Sequence, residues 1–324
     1  MTSPVLKVHE LGMTFPGARE GLRRRSGVKA VDGVSFEVRA GETLGLVGES
    51  GCGKSTTGRL LVRLLDPTVG RIDFRGQDIT RLGQRELRPL RSELQIIFQD
   101  PFASLNPRRT VRQIIAAPLR AQGVSGEQLR REVRELVQLV GLAPEHLERY
   151  PYQFSGGQAQ RIGIARALAT RPALVVADEP VSALDVSIQA QIVGLLERLQ
   201  RELGVAYLFI AHDLAVVKHL SHRVAVMYLG RIVEIGDKEQ VYGAPAHPYT
   251  KALLSAVPLP DPAAERARER IVLLGDPPSP ADPPTGCTFH PRCAKAQQIC
   301  RSQAPLLTIN GPGQRQVACH FPEA

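Results

Sequence analysis

The strongest constraint on this chain is a stretch that matches the phosphate-binding loop pattern G-x-x-x-x-G-K-[ST]. Residues 42–47 before it are mostly apolar and predict a buried strand, and residues 57–65 after it have a helical pattern. Glycines let a backbone wrap a phosphate with its N–H groups pointing inward, and the helix N-terminus adds partial positive charge. This context predicts a nucleotide-binding strand–loop–helix unit and disfavours a chance Gly-rich turn. The phosphate loop comprises Gly48, Glu49, Ser50, Gly51, Cys52, Gly53, Lys54, Ser55 and Thr56.

Within and beyond the loop, particular side chains have the chemistry of a Mg²⁺-nucleotide site. Lys54 offers a charge to the β- and γ-phosphates, and Ser55 offers a hydroxyl to Mg²⁺. Asp178 ends an apolar strand, so we expect its carboxylate at the sheet edge where ligands bind, as a second Mg²⁺ ligand. Glu179 should face the other way along the pleat and be free to orient or deprotonate a water. The alternative is a solvated Asp-Glu pair at a strand end.

Two further polar residues follow buried strands. We expect Gln99 to contact the metal or the attacking water, and His212 to contact the γ-phosphate, although a lone histidine is more often structural. A second anion-binding helix end is predicted where Ser155 can cap a helix and two glycines permit close approach. This signature segment comprises Ser155, Gly156, Gly157 and Gln158. Alone it is weak evidence, because many helices begin in this way.

Alternating strand and helix patterns predict an α/β fold with a mainly parallel sheet. Residues 4–13 are expected to form an edge strand, 111–142 a helical pattern within a helical subdomain of about 103–170, and 182–203 a helix. We expect a nucleotide-binding domain over residues 1–243. Prolines accumulate after it, so residues 244–324 are expected to form a loop-rich extension.

Composition narrows the class of protein. The 324 residues are 43% apolar and 23% charged, which is typical of a soluble globular protein. No apolar run is long enough for a membrane span, and no signal-peptide core is found, so we expect a cytoplasmic protein. The net charge of +9 suits an anionic partner. The absence of tryptophan leaves no base-stacking surface of the kind that binds nucleic acid.

Taken together, the motifs over residues 5–240 resemble the ATP-binding cassette (ABC) ATPases. The resemblance implies a P-loop NTPase fold with an antiparallel β subdomain and a helical subdomain, and a hydrolysis-competent site. It also implies a head-to-tail dimer in which the phosphate loop of one domain and the signature of the other enclose each ATP. The remaining roles that it implies are Gln99 in the Q-loop, Phe154 opening the signature, Asp178 for the metal, Glu179 in catalysis, Asp185 in the D-loop, His212 as the switch histidine and Phe15 stacked on adenine.

Four segments resemble the dipeptide/oligopeptide importer ATPases more closely: residues 100–108, 185–191, 247–254 and 286–293. This resemblance implies an ATPase at the cytoplasmic face of the membrane that powers peptide uptake. Its implied partners are two transmembrane permease subunits and, indirectly, an extracytoplasmic peptide-binding protein. Ser182, in the segment 180–185, favours an F-type subunit that pairs with a distinct D-type ATPase.

Four of the five cysteines lie near the end of the chain: Cys287, Cys293, Cys300 and Cys319. Four thiolates suit tetrahedral zinc or a four-iron cluster, and the spacing lacks the C-x₂-C of zinc ribbons. The importer resemblance implies a [4Fe-4S] cluster, with zinc as the alternative. Cys52 is expected to stay outside any metal site.

Two other functions remain open from sequence. One is a soluble ABC ATPase that acts on nucleic acid or ribosomes, which the positive charge would suit. That class usually has two cassettes in one chain or a long coiled-coil insertion, and neither is found here. The other is an exporter ATPase whose cysteine-rich extension is a metal-dependent regulatory module.

Overall fold

The computed structural model describes residues 4–17, 19–20, 23–24, 27–258, 261–268, 270–311 and 314–323. These residues divide into two compact units. Unit 1 takes the described residues of Met1–Leu6, Val38–Thr43 and Phe74–Ile210. Unit 2 takes those of Lys7–Glu37, Leu44–Asp73 and Ala211–Ala324.

The strands of the described residues are β1 Pro4–Phe15, β2 Arg19–Glu20, β3 Arg23–Arg24, β4 Val28–Arg39, β5 Thr43–Val47, β6 Val69–Phe74, β7 Gln77–Asp78, β8 Leu94–Ile97, β9 Leu174–Asp178, β10 Ala206–Ile210, β11 Arg223–Tyr228, β12 Arg231–Asp237, β13 Thr308–Ile309 and β14 Gln316–Val317. The α-helices are α1 Lys54–Leu61, α2 Gln84–Leu90, α3 Pro101–Ser104, α4 Val111–Ala121, α5 Gly126–Leu139, α6 Gly156–Leu168, α7 Val186–Leu203, α8 Leu214–Leu220, α9 Lys238–Gly243, α10 Pro248–Ser255, α11 Pro262–Ala267 and α12 Gln298–Ser302. Short 3₁₀ turns cover Pro144–Glu148, Pro151–Gln153 and His290–Arg292.

In unit 1, β9 pairs in parallel with both β10 and β8. Every residue of β9 and β10 is buried, in keeping with their continuous apolar sequences, because a parallel strand covered on both faces has no solvent side. Helices α3, α4 and α5 all pack on α6. This cluster is the helical insertion that the sequence predicts.

In unit 2, the sheet runs in the order β13-β14-β12-β11-β5. Strand β11 is parallel to β5 and antiparallel to β12, and the short strand β14 from the chain's last residues adds to β12. The resulting sheet is mixed. A second sheet places β1 between β4 and β6, so the expectation of an edge strand is wrong. Strand β1 has a partner on each side, and its residues Leu6 and Leu11 are fully buried.

Two predicted helices have different bounds in the structure. The pattern over residues 111–142 divides into α4 and α5, because Gly123 adopts φ +88° and ends the first helix. The helix expected from residue 182 begins at Val186, after Asp185 at its N-cap. None of the helices in the described ranges has the length and apolar character needed to span a membrane.

A buried carboxylate joins the extension to the unit 2 sheet. Glu234 on β12 is fully buried and accepts hydrogen bonds from the backbone N–H groups of Ala246 (2.9 Å) and His247 (3.0 Å). His247 caps α10 by accepting the N–H of Tyr249 at its Nδ1. Burial lowers the pKa of His247 to about 3. The start of α10 is therefore held by a satisfied network inside the unit.

Candidate nucleotide site

The phosphate loop connects β5 to α1, as its sequence predicts. Gly53 is the N-cap of α1 and adopts φ +105°, which a residue with a side chain rarely does. Lys54 is 4% exposed, and its Nζ donates to the carbonyl oxygens of Gly48 (2.8 Å) and Glu49 (3.0 Å). These bonds hold the ammonium inside the curve of the loop, where it can meet a phosphate.

Neighbouring backbone approaches the loop closely at two glycines. A Cβ on Gly48 would lie 2.2 Å from the carbonyl oxygen of Met227, and one on Gly53 would lie 2.1 Å from that of Ala30. The loop is also tied to the β11–β12 turn, since the Gly230 N–H donates to the Cys52 carbonyl oxygen at 2.9 Å. The loop conformation is thus set by packing against β11 and β4 within unit 2.

Cys52 is a packing residue of the loop. It is 5% exposed, and burial raises the pKa of its thiol although Lys54 acts in the opposite direction. The thiol is therefore protonated at neutral pH.

The Asp178-Glu179 pair lies at the carboxyl end of β9 in unit 1. Asp178 is the last strand residue and is 1% exposed. Glu179 has the left-handed backbone φ +46°, and its N–H donates to the carbonyl oxygen of Ile210 at 3.0 Å. The strand ends at Asp178, so Glu179 lies outside the regular pleat. A left-handed non-glycine residue stores about 1 kcal/mol, and such strain is common at functional sites.

Gln99 lies beside Glu179 in unit 1. Its Nε2 donates to Glu179 Oε2 at 3.0 Å. Gln99 is exposed and follows β8, whose partner in the sheet is β9. The amide thus orients the carboxylate that the sequence nominates as the base.

The signature segment opens α6 as predicted. Ser155 Oγ accepts the N–H of Gln158 (3.4 Å), and Gln158 Oε1 accepts the N–H of Ser155 (3.1 Å), which together form a capping box. A Cβ on Gly157 would lie 2.5 Å from Ile188 Cγ2, so this glycine also allows the start of α7 to pack closely. Phe154 is buried and contacts His146 edge-to-face with ring centroids 5.4 Å apart.

The remaining predicted residues are exposed. Asp185 is the exposed N-cap residue of α7 in unit 1. In unit 2, His212 is exposed and precedes Asp213, which caps α8 by accepting the N–H of Ala215 at 2.7 Å. Phe15 ends β1 with 36% of its surface exposed, and an exposed ring at a strand end has a free face for stacking.

The structure adds two contacts to the loop that sequence reasoning did not find. The backbone N–H of Glu49 donates to the hydroxyl oxygen of Tyr249 at 2.9 Å, and burial raises the pKa of that tyrosine. The Glu49 carboxylate forms an ion pair with Arg292. Tyr249 and Arg292 both belong to the segments that resemble the importer ATPases, but no local sequence signal gave either residue a role in the phosphate loop.

The four terminal cysteines are close enough to influence one another. Burial raises the pKa of Cys287, Cys293 and Cys319, and the neighbouring thiols raise each further, to about 11 for Cys319. Cys287 N–H donates to the Cys300 carbonyl oxygen at 2.8 Å. Even so, within the described ranges no group of three or more His, Cys, Asp or Glu side chains is arranged to hold a metal ion. The expectation of a metal-binding extension is not supported by this arrangement.

These features define an ATP-binding cassette of the P-loop type: the strand that leads into the phosphate loop, the loop itself, the strained glutamate and the capped signature segment. Two family models match the chain: ABC transporter over residues 31–182, and Oligopeptide/dipeptide transporter, C-terminal region, over residues 233–300. The chain belongs to the family of ABC transporter ATP-binding proteins, in the oligopeptide transport group, as its relatives establish.

Those relatives match along nearly the whole chain. A putative oligopeptide transport ATP-binding protein, YkfD of Bacillus subtilis, is 54% identical over 98% of this chain and 95% of its own length. The oligopeptide transport ATP-binding protein AppF of the same organism is 54% identical over 98% of this chain and 97% of its own length. The oligopeptide transport ATP-binding protein OppF of Salmonella typhimurium is 54% identical over 90% of this chain and 87% of its own length. The family resemblance drawn from sequence is confirmed, and the nucleic-acid alternative has no support among these relatives.

Solved structures confirm the fold. The ATP-binding cassette MJ0796, in a dimeric post-hydrolysis state bound to ADP and phosphate, matches with a TM-score of 0.64 at 28% identity, over 72% of this chain and 98% of its own. CbiO1 of Clostridium perfringens, part of the cbiONQ transporter complex, matches with a TM-score of 0.65 at 27% identity, over 74% of this chain and 91% of its own. The chain is an ATPase of the ABC class, for which ATP and Mg²⁺ are the implied ligands.

Two glycines of one loop make a matched test of the packing argument. We expect Gly53→Ala to abolish nucleotide binding and to destabilise the protein by at least about 2 kcal/mol, because its Cβ meets the Ala30 carbonyl oxygen. Gly51→Ala should cost only about 1 kcal/mol, because φ is +78° but nothing lies within 4 Å. For each variant, calorimetry measures nucleotide binding and urea unfolding measures stability. Equal effects of the two substitutions would show that close packing does not set the loop.

Proposed function

We propose that this chain hydrolyses ATP with Glu179 as the base that accepts a proton from the attacking water. The observation that carries the proposal is the left-handed backbone of Glu179 directly after Asp178, because strain of this kind is common at functional sites. Gln99 orients this carboxylate through the 3.0 Å hydrogen bond to Oε2. Lys54 and the N–H groups of the phosphate loop hold the phosphates.

The donor set of the site suits Mg²⁺. Ser55 offers a hydroxyl, Gln99 an amide oxygen and Asp178 a carboxylate, and hard oxygen ligands are what Mg²⁺ prefers. Bound Mg²⁺ would neutralise charge on the β- and γ-phosphates. Two further residues would contact the bound ATP: His212 at the γ-phosphate and Phe15 at the adenine.

We propose that each ATP is shared between two subunits. The signature segment and Asp185 of this chain would serve the ATP of a partner, and the partner's signature would complete the site at residues 48–56. Ser155 and Asp185 are exposed at the N-terminal ends of α6 and α7, which leaves both free to meet another chain. The similar cassette MJ0796 is described as dimeric with ADP and phosphate bound. The proposed partner is a distinct D-type ATPase.

We propose that hydrolysis powers peptide import. The names of the relatives, which describe oligopeptide transport, support this assignment. The ATPase would lie at the cytoplasmic face of the membrane, bound to two permease subunits that receive peptides from an extracytoplasmic binding protein. The segment after Gln99 suits permease contact, because Phe102 is 43% exposed and Asn106, Arg108 and Arg109 are exposed beside it.

For the domain organisation we propose a nucleotide-binding domain over residues 1–243, with a helical subdomain at about 103–170, and an extension over 244–324. The packing of α3, α4 and α5 on α6 supports the helical subdomain. The match of the C-terminal family model to residues 233–300 supports a distinct extension that begins near the end of β12.

Glu179 gives the direct test of catalysis. We expect Glu179→Gln to retain ATP binding and to lose turnover by at least about hundredfold, because the amide cannot accept the water's proton. Binding is measured by calorimetry and turnover by phosphate release, and cells with this variant should stop importing labelled peptides. The matched control is Glu202→Gln, an exposed carboxylate on α7. Turnover that survives in Glu179→Gln would place the base elsewhere.

For the extension we propose that Cys287, Cys293, Cys300 and Cys319 hold a [4Fe-4S] cluster, with zinc as the alternative. The neighbouring thiols Cys287, Cys293 and Cys300 raise the pKa of Cys319, so the four side chains are close enough to interact, which supports this proposal. Thiolates are the ligands of such clusters, and a bound cluster would offset the repulsion between them. The role would be structural or redox-sensing.

Anaerobic purification tests the cluster. We expect a coloured protein with a broad visible absorption band and bound iron and sulfide. In Cys300→Ser we expect the absorption band and the bound iron and sulfide to be lost. Cys52→Ser is the matched control and should keep the iron, because Cys52 lies in the phosphate loop. A colourless protein with bound zinc would rule the cluster out, and metal-free protein would rule out both alternatives.

A further inference from the structure

The phosphate loop contains an acidic side chain, Glu49, directly after Gly48. A carboxylate in a loop that binds a polyphosphate should oppose binding, because like charges repel over a distance of several ångströms. The Glu49 side chain is 27% exposed, so solvent screens it only in part. The chain must therefore offset this charge from nearby.

Arg292 provides the offsetting charge. Its Nη1 donates to Glu49 Oε2 at 2.9 Å and to Oε1 at 3.2 Å, so one guanidinium nitrogen contacts both carboxylate oxygens. The Arg292 side chain is 8% exposed. A pair shielded to this degree is stronger than an exposed surface ion pair. The two residues are separated by 243 positions in sequence, so the contact joins the loop to the extension.

Arg292 is held in place by buried aromatic packing. It ends the 3₁₀ turn His290–Arg292, and the preceding Phe289 is 1% exposed. The Phe289 ring packs edge-to-face on Tyr228, with centroids 5.3 Å apart, and contacts Tyr249 at 5.4 Å. Such contacts fix the backbone that presents the guanidinium.

A second bond from the extension constrains the same residue. Tyr249 on α10 accepts the backbone N–H of Glu49 at 2.9 Å. The Tyr249 ring is fully buried, and α10 begins at the network built on Glu234. Glu49 is thus held at its backbone by Tyr249 and at its carboxylate by Arg292.

We propose that Arg292 is a positioning residue for nucleotide binding, which neutralises Glu49 and turns its carboxylate away from the phosphates. The extension is then part of the nucleotide site and sets its affinity for ATP. This inference rests on the proposed nucleotide site at residues 48–56. The competing role for Arg292 is purely structural, in which the pair only attaches the extension to unit 2.

A double-substitution cycle on the full-length chain separates the two roles. ATP affinity is measured by calorimetry with a non-hydrolysable ATP analogue and Mg²⁺. We expect Arg292→Met to weaken binding roughly fivefold to hundredfold, because it leaves Glu49 charged and unpaired. In the Glu49→Gln background the same substitution should change affinity by no more than about twofold, because no charge remains to be neutralised. A structural attachment predicts instead that Arg292→Met weakens binding in both backgrounds.

Conservative and control variants complete the test. Arg292→Lys keeps the charge and should bind the analogue more tightly than Arg292→Met. Arg301→Met removes an exposed positive charge from the same extension and should leave affinity unchanged. The loss in Arg292→Met should also shrink at high salt, since screening weakens the repulsion from Glu49. Thermal unfolding of each variant shows whether it is folded.

The outcomes are distinct. Failure of the wild-type chain to bind the analogue would overturn the nucleotide site itself. Wild-type binding together with equal affinity of a folded Arg292→Met would overturn only the role of Arg292. An equal loss in both Glu49 backgrounds, insensitive to salt, would show that the pair acts as an attachment and would also overturn the inference.

Discussion

The contact on which the nucleotide site depends is the packing of the phosphate loop against two backbone carbonyl oxygens. A side chain on Gly53 would meet the Ala30 oxygen on β4, and one on Gly48 would meet the Met227 oxygen on β11. The loop therefore has no room to take another path between β5 and α1. Lys54 is hydrogen-bonded to the carbonyl oxygens of Gly48 and Glu49 inside this loop, and such preorganisation lowers the entropic cost of binding.

Each unit completes its own part of the chemistry. In unit 1 strand β9 ends at Asp178, and Gln99 donates a hydrogen bond to the Glu179 carboxylate. In unit 2 the sheet that supports the phosphate loop also takes up β14 from the last residues of the chain. The extension is thereby bonded to the sheet through β14, to β12 through Glu234, and to the loop through Tyr249 and Arg292. A loop-rich segment held by these contacts is integrated into the unit.

Sequence alone predicted the features that depend on short-range patterns. The strand before the phosphate loop, the capped helix after Ser155 and the apolar strand before Asp178 were all found where expected, because periodicity and capping are local signals. The expected edge position of β1 was wrong, since a strand's neighbours are set by tertiary pairing. The left-handed backbone of Glu179 had no sequence signal, because an alternation pattern does not report the φ angle of a single residue. The contact of Arg292 with Glu49 had no sequence signal, because ion pairs distant in sequence leave no periodicity.

We propose that this ATPase works as one subunit of a membrane importer. The most direct measurement is the composition of the complex recovered when the full-length chain is purified from mild-detergent extracts of its own membranes. We expect two permease subunits and a second, distinct ATPase, with ATP hydrolysis that rises when the peptide-binding protein and peptide are added. Recovery with ribosomes or DNA, and without permeases, would contradict it.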